Sequence, residues 1–236
     1  MIKYKRILLK LSGESLSGND NYGINTVALQ QYAADIKSVT DEGVQVGIVI
    51  GGGNIFRGLK GVGKGFDRVK GDQMGMLSTV INSLAIQNAL QSIGVKAALL
   101  TAVHIESVGE RFSKETALRH FSEGTTCIIG GGTGNPFFTT DTASVLRAVE
   151  IEADILLKGT RVDGVYTADP EKDTKAKKFD TLSFDEAFLK NLRVMDMAAF
   201  ALCKENNMPL FVFDMNKPGN LLRVVQGEHI GTLVKQ

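Results

Sequence analysis

Cysteine is scarce in this sequence, which argues against a fold held together by disulfides. The 236 residues include only Cys127 and Cys203, and neither thiol lies in a spacing typical of metal ligands. A chain of this length can bury a core without disulfides or a structural metal. We therefore expect both thiols to be buried side chains in a protein of a reducing compartment.

The sequence also lacks an excess of either charge and any long apolar run. Its 27 Lys and Arg residues against 26 Asp and Glu residues give a net charge of +1, unlike the basic surface of a nucleic-acid-binding protein. No apolar run approaches the roughly 18 residues of a membrane helix. Lys10 interrupts the apolar start that a signal peptide would need. We expect neither nucleic acid nor a membrane as partner, and a cytoplasmic location.

Two common nucleotide-binding motifs are missing. The dinucleotide pattern G-x-G-x-x-G occurs nowhere in the chain. Residues 58–65 come close to the P-loop pattern, but Gly65 stands where that motif needs Ser or Thr to hold Mg²⁺. The segment also begins too far beyond the predicted strand that ends at Ile50. If the protein binds a nucleotide, it uses another kind of site.

Strand and helix patterns alternate along the whole chain, with no linker or repeat. This alternation predicts βαβ crossovers and a three-layer αβα sandwich around a mainly parallel sheet, formed by one domain over residues 1–236. Ser183 and Glu186 form a capping-box pattern at one helix start. Helices are predicted over 27–42, 72–92, 114–122, 141–152 and 195–207. Strands are predicted over 7–11, 44–50, 95–101, 126–129, 154–158, 210–213 and 231–235.

Glycine is abundant and clustered after the predicted strands. Small-residue turns follow three strands, at 12–13, 51–54 and 130–135. Ligands bind beyond the carboxyl ends of strands in open α/β sheets, and backbone N–H groups in such turns can bind phosphate. Tight turns between strands and helices favour glycine for conformational reasons as well. Three such turns together favour a phosphate-binding site.

Four charged residues near these turns are candidates for the chemistry. Lys10 is a lone cation in an apolar strand, so it either binds an anion or lies on an edge strand facing solvent. Arg57 closely follows the triple glycine. Asp72 and Asp141 stand near predicted helix starts, where capping the helix is the alternative role.

The motifs resemble those of the bacterial uridylate kinases of the amino-acid-kinase superfamily. They are KLSGE at 10–14, GGGNIFR at 51–57, GDQMGM at 71–76, TGNPFFTTD at 133–141 and VDGVYTADP at 162–170. Met195-Asp196 and the segment 216–219 also fit. The likeness spans essentially the whole chain in order, and the 133–141 motif is its most specific part.

This resemblance implies ATP-dependent phosphorylation of UMP to UDP, with an acceptor-binding half about 1–150 and an ATP-binding half about 151–236. It implies Mg²⁺ held mainly by ATP, with no metal ligands from the protein. The implied catalytic residues are Lys10, Arg57 and Asp141. The implied ATP-binding residues are Lys10, Leu11, Ser12, Gly13, Gly53, Arg57, Thr160, Tyr166 and Asp169. The implied UMP-binding residues are Gly52, Asp72, Thr133, Gly134, Asn135, Pro136, Phe137, Phe138, Thr139 and Thr140.

The resemblance further implies a homohexamer assembled through the helix near 72–92, and feedback inhibition by UTP at the UMP site. Several family members carry basic residues for a purine-nucleotide effector where this chain has the uncharged Gln87, Ala98 and Thr125, so the likeness leaves activation by GTP open. Phe137 and Phe138 could contact a ligand or belong to the core. Two alternative functions remain: an acylphosphate-forming kinase of the superfamily, and a non-catalytic nucleotide-binding or oxyanion-binding protein on the same fold.

Overall fold

The chain folds around one mixed sheet. The computed structural model describes residues 1–18, 20, 22–56, 67–192 and 194–236, and those residues form nine strands. The strands are β1 (Arg6–Leu11), β2 (Gln45–Ile50), β3 (Ala97–Thr101), β4 (Glu110–Arg111), β5 (Thr126–Gly130), β6 (Ile155–Thr160), β7 (Thr181–Ser183), β8 (Leu210–Asp214) and β9 (Thr232–Lys235).

The order of the strands confirms the mainly parallel α/β architecture expected from the sequence. It runs β4-β3-β5-β2-β1-β6-β8-β9-β7. Among the described strands, only the β8–β9 pair is antiparallel. The short strands β4 and β7 lie at the two edges of the sheet and have no counterpart in the sequence prediction, because two or three residues carry no readable periodicity.

The predicted helices are present, with shifted boundaries, along with short helices near the turns. Within the described residues they are α1 (Gly13–Leu16), α2 (Thr26–Thr40), α3 (Arg68–Ser92), α4 (Lys114–Ser122), α5 (Thr140–Glu150), α6 (Phe184–Leu189), α7 (Met197–Glu205) and α8 (Asn220–Val225). The capping box of Ser183 and Glu186 forms as predicted. None of the described helices combines the length and the apolar character needed to cross a membrane.

Helices cover both faces of the sheet, and alternation along the central strands assigns each side chain to a face. On β1, Ile7 and Leu9 belong to one apolar cluster and Leu8 to the other. Leu8 shares its cluster with Val145 of α5. Lys10, two residues after Leu8, therefore points to the α5 face. The predicted burial of Cys127 and Cys203 is confirmed, and burial raises the pKa of each thiol to about 12.

Helix α3 inverts the usual amphipathic arrangement. Its apolar residues Met74, Leu77, Ile81 and Leu84 are exposed, while Ser78, Thr79, Asn82 and Ser83 are buried. The buried polar side chains bind the turns at the strand ends: the Asn82 amide donates to the Gly51 carbonyl at 2.7 Å, and the Thr79 hydroxyl accepts from the Gly131 N–H at 2.8 Å. The buried face of α3 thus serves both the site, through these polar side chains, and the core, which Val80, Ile86, Ala89 and Leu90 join.

Candidate active site

Four neighbouring strands bring their carboxyl ends together. The strands β5, β2, β1 and β6 lie side by side and pair in parallel. The three glycine-containing turns predicted to bind phosphate follow the first three of these strands. A Cβ atom on Gly13 would lie 2.3 Å from the carbonyl oxygen of Gly51. Glycine is therefore required for these two turns to pack backbone against backbone.

A carboxylate with two ammonium partners lies at these strand ends. Lys10 on β1 and Lys158 on β6 are paired in the register of the sheet. Lys10 Nζ lies 2.7 Å from Asp141 Oδ1, and Lys158 Nζ lies 2.8 Å from Asp141 Oδ2. The Lys10 side chain is only 13% exposed, and β1 is a central strand, so the edge-strand alternative for Lys10 is wrong.

Asp141 supplies one negative charge against the two cations Lys10 and Lys158, and the carboxylate of Asp196 also acts on Lys158 from nearby. Burial opposes ionisation of Asp141, but the ammonium groups of Lys10 and Lys158 outweigh it and hold the pKa of Asp141 below its ordinary value. Burial also lowers the pKa of Lys158, more than its bond to Asp141 raises it. A phosphoryl group bound here would interact favourably with both ammonium groups.

A cavity of about 400 Å³ opens beside this centre, between α3 and the turn after β5. Its volume falls within the range of small-molecule sites. Thr140, which lines it, directly precedes Asp141 in the chain. Most of the residues implied to bind UMP line this cavity, together with Gly53 from the implied ATP site: Gly52, Asp72, Thr133, Asn135, Phe138, Thr139 and Thr140.

Gly134, Pro136 and Phe137 belong to the turn after β5 without lining this cavity. Gly134 has φ +82°, and a Cβ atom there would lie 3.0 Å from the Ala102 carbonyl oxygen. Phe137 also has a positive φ, of 72°. Phe137 and Phe138 are 64% and 52% exposed, so the alternative that they belong to the core is wrong.

Helix capping is not the role of Asp72 or Asp141. The Asp67 side chain caps α3 by accepting from the Lys70 N–H, and the Thr139 side chain caps α5 by accepting from the Asp141 and Thr142 N–H groups. Asp72 Oδ2 instead accepts from Arg68 Nε at 2.8 Å and from the Phe137 N–H at 2.8 Å. Asp72 therefore joins α3 to the turn after β5.

A second cavity, of about 480 Å³, lies on the other side of the lysine pair and is lined by Lys158, Thr160, Tyr166 and Asp169. The Tyr166 hydroxyl donates to Asp163 Oδ1 at 2.5 Å, which raises the pKa of Tyr166 to about 12. Tyr166 is therefore protonated at neutral pH. Three of these lining residues, Thr160, Tyr166 and Asp169, are implied ATP-binding residues.

A third cavity, of about 210 Å³, shares Lys158 and Thr160 with the second and is also lined by Lys10 and Ser12. Because the two cavities share Lys158 and Thr160, Lys10 and Lys158 lie next to the second cavity. Leu11, also implied in ATP binding, is 1% exposed within the core, and its carbonyl accepts from the Gly51 N–H at 3.0 Å. Arg57 lies outside the described residues.

Comparison with known proteins identifies the family to which the chain belongs. The model of the amino acid kinase family matches residues 5–214. The uridylate kinases of Parabacteroides distasonis and Bacteroides thetaiotaomicron are 62% and 63% identical to this chain, over 99% of each chain. The chain belongs to the amino acid kinase family, on its uridylate kinase branch.

Solved structures of amino acid kinases on this branch share the fold. The UMP kinase of Bacillus anthracis superposes with a TM-score of 0.95 at 40% identity, covering 98% of this chain and 96% of that one. The UMP kinase of Ureaplasma parvum gives 0.94 at 36% identity, covering 100% of both chains. The family resemblance read from the sequence motifs is thereby confirmed.

In this amino acid kinase, Lys158 ends the predicted strand 154–158 and is not among the site residues predicted from the sequence. The available signal was the one that singled out Lys10, a lone cation in an apolar strand that ends at a glycine turn. Lys158 also donates to the Val194 carbonyl at 2.5 Å. That second bond could only be found from the structure, because Val194 and Lys158 are far apart in the chain.

Asp196 is a second residue whose place in the site the sequence did not reveal. Its carboxylate accepts from the Thr139 hydroxyl and from the Thr142 hydroxyl, the latter at 3.1 Å. It also caps α7 by accepting from the Ala199 N–H at 2.9 Å. Asp196 thus fixes the first turn of α5, which carries Asp141, against the start of α7.

Proposed function

We propose that this protein transfers the γ-phosphoryl group of ATP to UMP, releasing UDP and ADP. The observation that carries the proposal is the centre formed by Lys10, Asp141 and Lys158, which lies between two nucleotide-sized cavities. Membership of the uridylate kinase branch, at 62% identity over the whole chain, supports UMP as the acceptor. Neither an acylphosphate-forming kinase nor a non-catalytic binding protein is favoured by these relatives.

UMP would occupy the 400 Å³ cavity. The carboxylate of Asp72 suits the ribose hydroxyls, and the turn at 133–140 offers backbone N–H groups and side chains to the uracil and the phosphate. Gly52 allows close approach, since a Cβ atom there would lie 2.7 Å from Ser78 Cβ. The phosphate of UMP would point toward Asp141, which follows the turn directly.

ATP would occupy the 480 Å³ cavity with its adenosine beside Thr160, Tyr166 and Asp169. Its phosphates would extend into the smaller cavity, toward Lys10, Ser12 and the Ser12–Gly13 turn. This orientation places the two nucleotides with their phosphates facing each other across the lysine pair. Arg57, implied by the family resemblance, would add a further cation.

The transfer itself needs positioning and positive charge rather than a covalent enzyme intermediate. A phosphate oxygen of UMP attacks the γ-phosphorus, a new P–O bond forms, and the bond from the γ-phosphorus to the β,γ-bridging oxygen breaks. The electron pair leaves with ADP. No general base is obligatory, because the attacking oxygen is already anionic. Lys10 and Lys158 stabilise the charge on the transferring group, and Asp141 orients both.

Mg²⁺ would enter with ATP and be held by its phosphates. Both oxygens of Asp141 already contact lysines, so this carboxylate is not free to serve as the main metal ligand. Among the described residues, no group of three or more His, Cys, Asp or Glu side chains could hold a metal ion. When bound, Mg²⁺ would neutralise charge on the β- and γ-phosphates.

The proposal extends to assembly, location and regulation. The exposed apolar residues of α3, namely Met74, Leu77, Ile81 and Leu84, suit burial against another copy of the chain. This supports the homohexamer that the family resemblance implies. We propose a cytoplasmic enzyme that UTP inhibits at the UMP site.

The decisive experiment is an ADP-release assay with ATP, Mg²⁺ and one acceptor at a time. The acceptors are UMP, CMP, dCMP, AMP and GMP, with carbamate and N-acetylglutamate as representatives of the acylphosphate-forming kinases. We expect turnover with UMP to exceed that with the carboxylate and carbamate acceptors by orders of magnitude. Tight binding of UMP with only trace turnover would instead support a binding protein, and turnover of a carboxylate would contradict the proposal outright.

A further inference from the structure

Arg68, the first residue of α3, contacts both sides of the acceptor cavity. Its Nε lies 2.8 Å from Asp72 Oδ2, and its guanidinium carbon lies 5.3 Å from the centre of the Phe137 ring. Asp72 belongs to α3, and Phe137 belongs to the turn after β5. Arg68 also lines the cavity. One side chain therefore bridges two separate elements at the place proposed for UMP.

The contacts of Arg68 and Phe137 with Asp72 share a single carboxylate oxygen atom. Asp72 Oδ2 accepts from Arg68 Nε and from the Phe137 N–H, both at 2.8 Å. Hydrogen bonds to an ionised carboxylate are stronger than neutral ones. Arg68, Asp72 and Phe137 thus form a closed set of contacts, in which the guanidinium touches the carboxylate and the ring, and the carboxylate holds the backbone beneath that ring.

The backbone at Phe137 needs such support. Its φ of 72° lies in the left-handed region, which is unfavourable for a residue with a bulky side chain. The Phe137 ring is 64% exposed, so core packing does not hold it in place. At Phe137 itself, the described contacts that oppose relaxation are the hydrogen bond to Asp72 and the guanidinium of Arg68 near the ring.

We propose that Arg68 is a positioning residue of the acceptor site, which fixes the Asp72 carboxylate and holds the turn at 133–138 closed against α3. This inference rests on the proposed function, because it assigns Arg68 to the binding of UMP. It gives Arg68 no part in the transfer step and no contact with ATP. Losing Arg68 should weaken UMP binding and leave the lysine centre intact.

The test compares Arg68→Gln with Lys70→Gln by steady-state kinetics and thermal unfolding. Lys70 is exposed on the same helical turn, so its replacement removes the same charge without touching Asp72 or Phe137. We expect Arg68→Gln to raise KM for UMP about tenfold, corresponding to about 1.4 kcal/mol of binding free energy. KM for ATP and kcat at saturating UMP should stay within about twofold, and Lys70→Gln should match the wild type.

Two further variants separate positioning from an ordinary pair of charges on a helix. Arg68→Lys keeps the charge but loses the planar guanidinium, so it should restore only part of the affinity for UMP. Phe137→Leu removes the ring, and its effect on KM for UMP should be less than additive with that of Arg68→Gln, since the two contacts belong to one set.

The inference is overturned if Arg68→Gln lowers thermal stability but leaves KM for UMP unchanged, since that is the behaviour of a structural ion pair. It is also overturned if KM for ATP or kcat changes as much as KM for UMP, or if Lys70→Gln gives the same rise. A wild-type protein without activity on UMP would instead contradict the proposed function, so the two failures are distinguishable.

Discussion

Lys10 and Lys158 lie directly opposite each other in the register of β1 and β6, and their ammonium groups converge on the carboxylate of Asp141. Two like charges on adjacent central strands repel each other unless an anion lies between them. Asp141 supplies one negative charge, and a transferring phosphoryl group would supply more.

Replacing Lys10 with alanine should lower kcat at least about 10²-fold, the scale of removing one donor that stabilises transition-state charge. Coupled ADP release with saturating UMP and ATP measures the effect. Lys5→Ala serves as control, because Lys5 is exposed just before the same strand. Near-normal turnover of Lys10→Ala would mean that Lys10 has only a structural role.

Replacing Lys158 with methionine should lower kcat by a similar factor, about 10²-fold, because methionine fills the space without charge. Lys235→Met is the matched control, since Lys235 is exposed at the end of β9 and lines neither nucleotide cavity. A wild-type kcat for Lys158→Met would show that Lys10 alone serves the transferring group. Circular dichroism shows whether Lys158→Met still folds. Lys158→Arg, which keeps the buried charge, separates a loss of folding from a loss of catalysis.

Replacing Asp72 with alanine should mainly raise KM for UMP. The variant removes a proposed partner of the ribose and also releases the Phe137 N–H from its acceptor. Initial rates at varied UMP, with ATP saturating, measure the change, and KM for ATP provides the internal control. Unchanged saturation by UMP would contradict the placement of the acceptor.

The stability of the protein should depend on pH through Asp141. Its pKa is lowered in the folded state, against an ordinary value of 3.8, by Lys10 and Lys158 in opposition to burial. The ionised group therefore stabilises the fold at pH above about 5, and this contribution is lost as the pH falls through the folded pKa. Urea unfolding from pH 7 to pH 3 should show a gap in unfolding free energy between the wild type and Asp141→Asn that shrinks on acidification. A gap that does not depend on pH would mean that Asp141 is not ionised in the folded protein.

Introducing a charge into the exposed apolar face of α3 should break the assembly. Ile81→Glu places a carboxylate in the middle of the group formed by Leu77, Ile81 and Leu84, where burial against another copy would be costly. Light scattering after size exclusion should show a smaller species than the wild type. Ala201→Glu on α7, an exposed position on a helix whose buried residues belong to the other apolar cluster, should leave the mass unchanged. A monomeric wild type would contradict the proposed hexamer.

The α3 helix shows where sequence reasoning reaches its limit. Its existence could be predicted from the periodicity of its apolar residues, but whether those residues faced the core could not. Spacing identifies a face and does not identify what covers it. The buried face carries Val80, Ile86, Ala89 and Leu90 in the core and also the polar Ser78, Thr79, Asn82 and Ser83. Polar residues are buried there because the turns at the strand ends present backbone groups that need hydrogen-bond partners.

The sequence by itself determined the alternation of strands and helices, the glycine turns at the strand ends, the absence of a P-loop and the family. These features are local or rest on motifs that are contiguous in the chain. Only the tertiary structure decided that Lys158 is the partner of Lys10, that Asp141 binds both, and that Arg68 and Asp72 hold Phe137. Such contacts join residues from different elements, and no local pattern specifies them, because they depend on strand order and register.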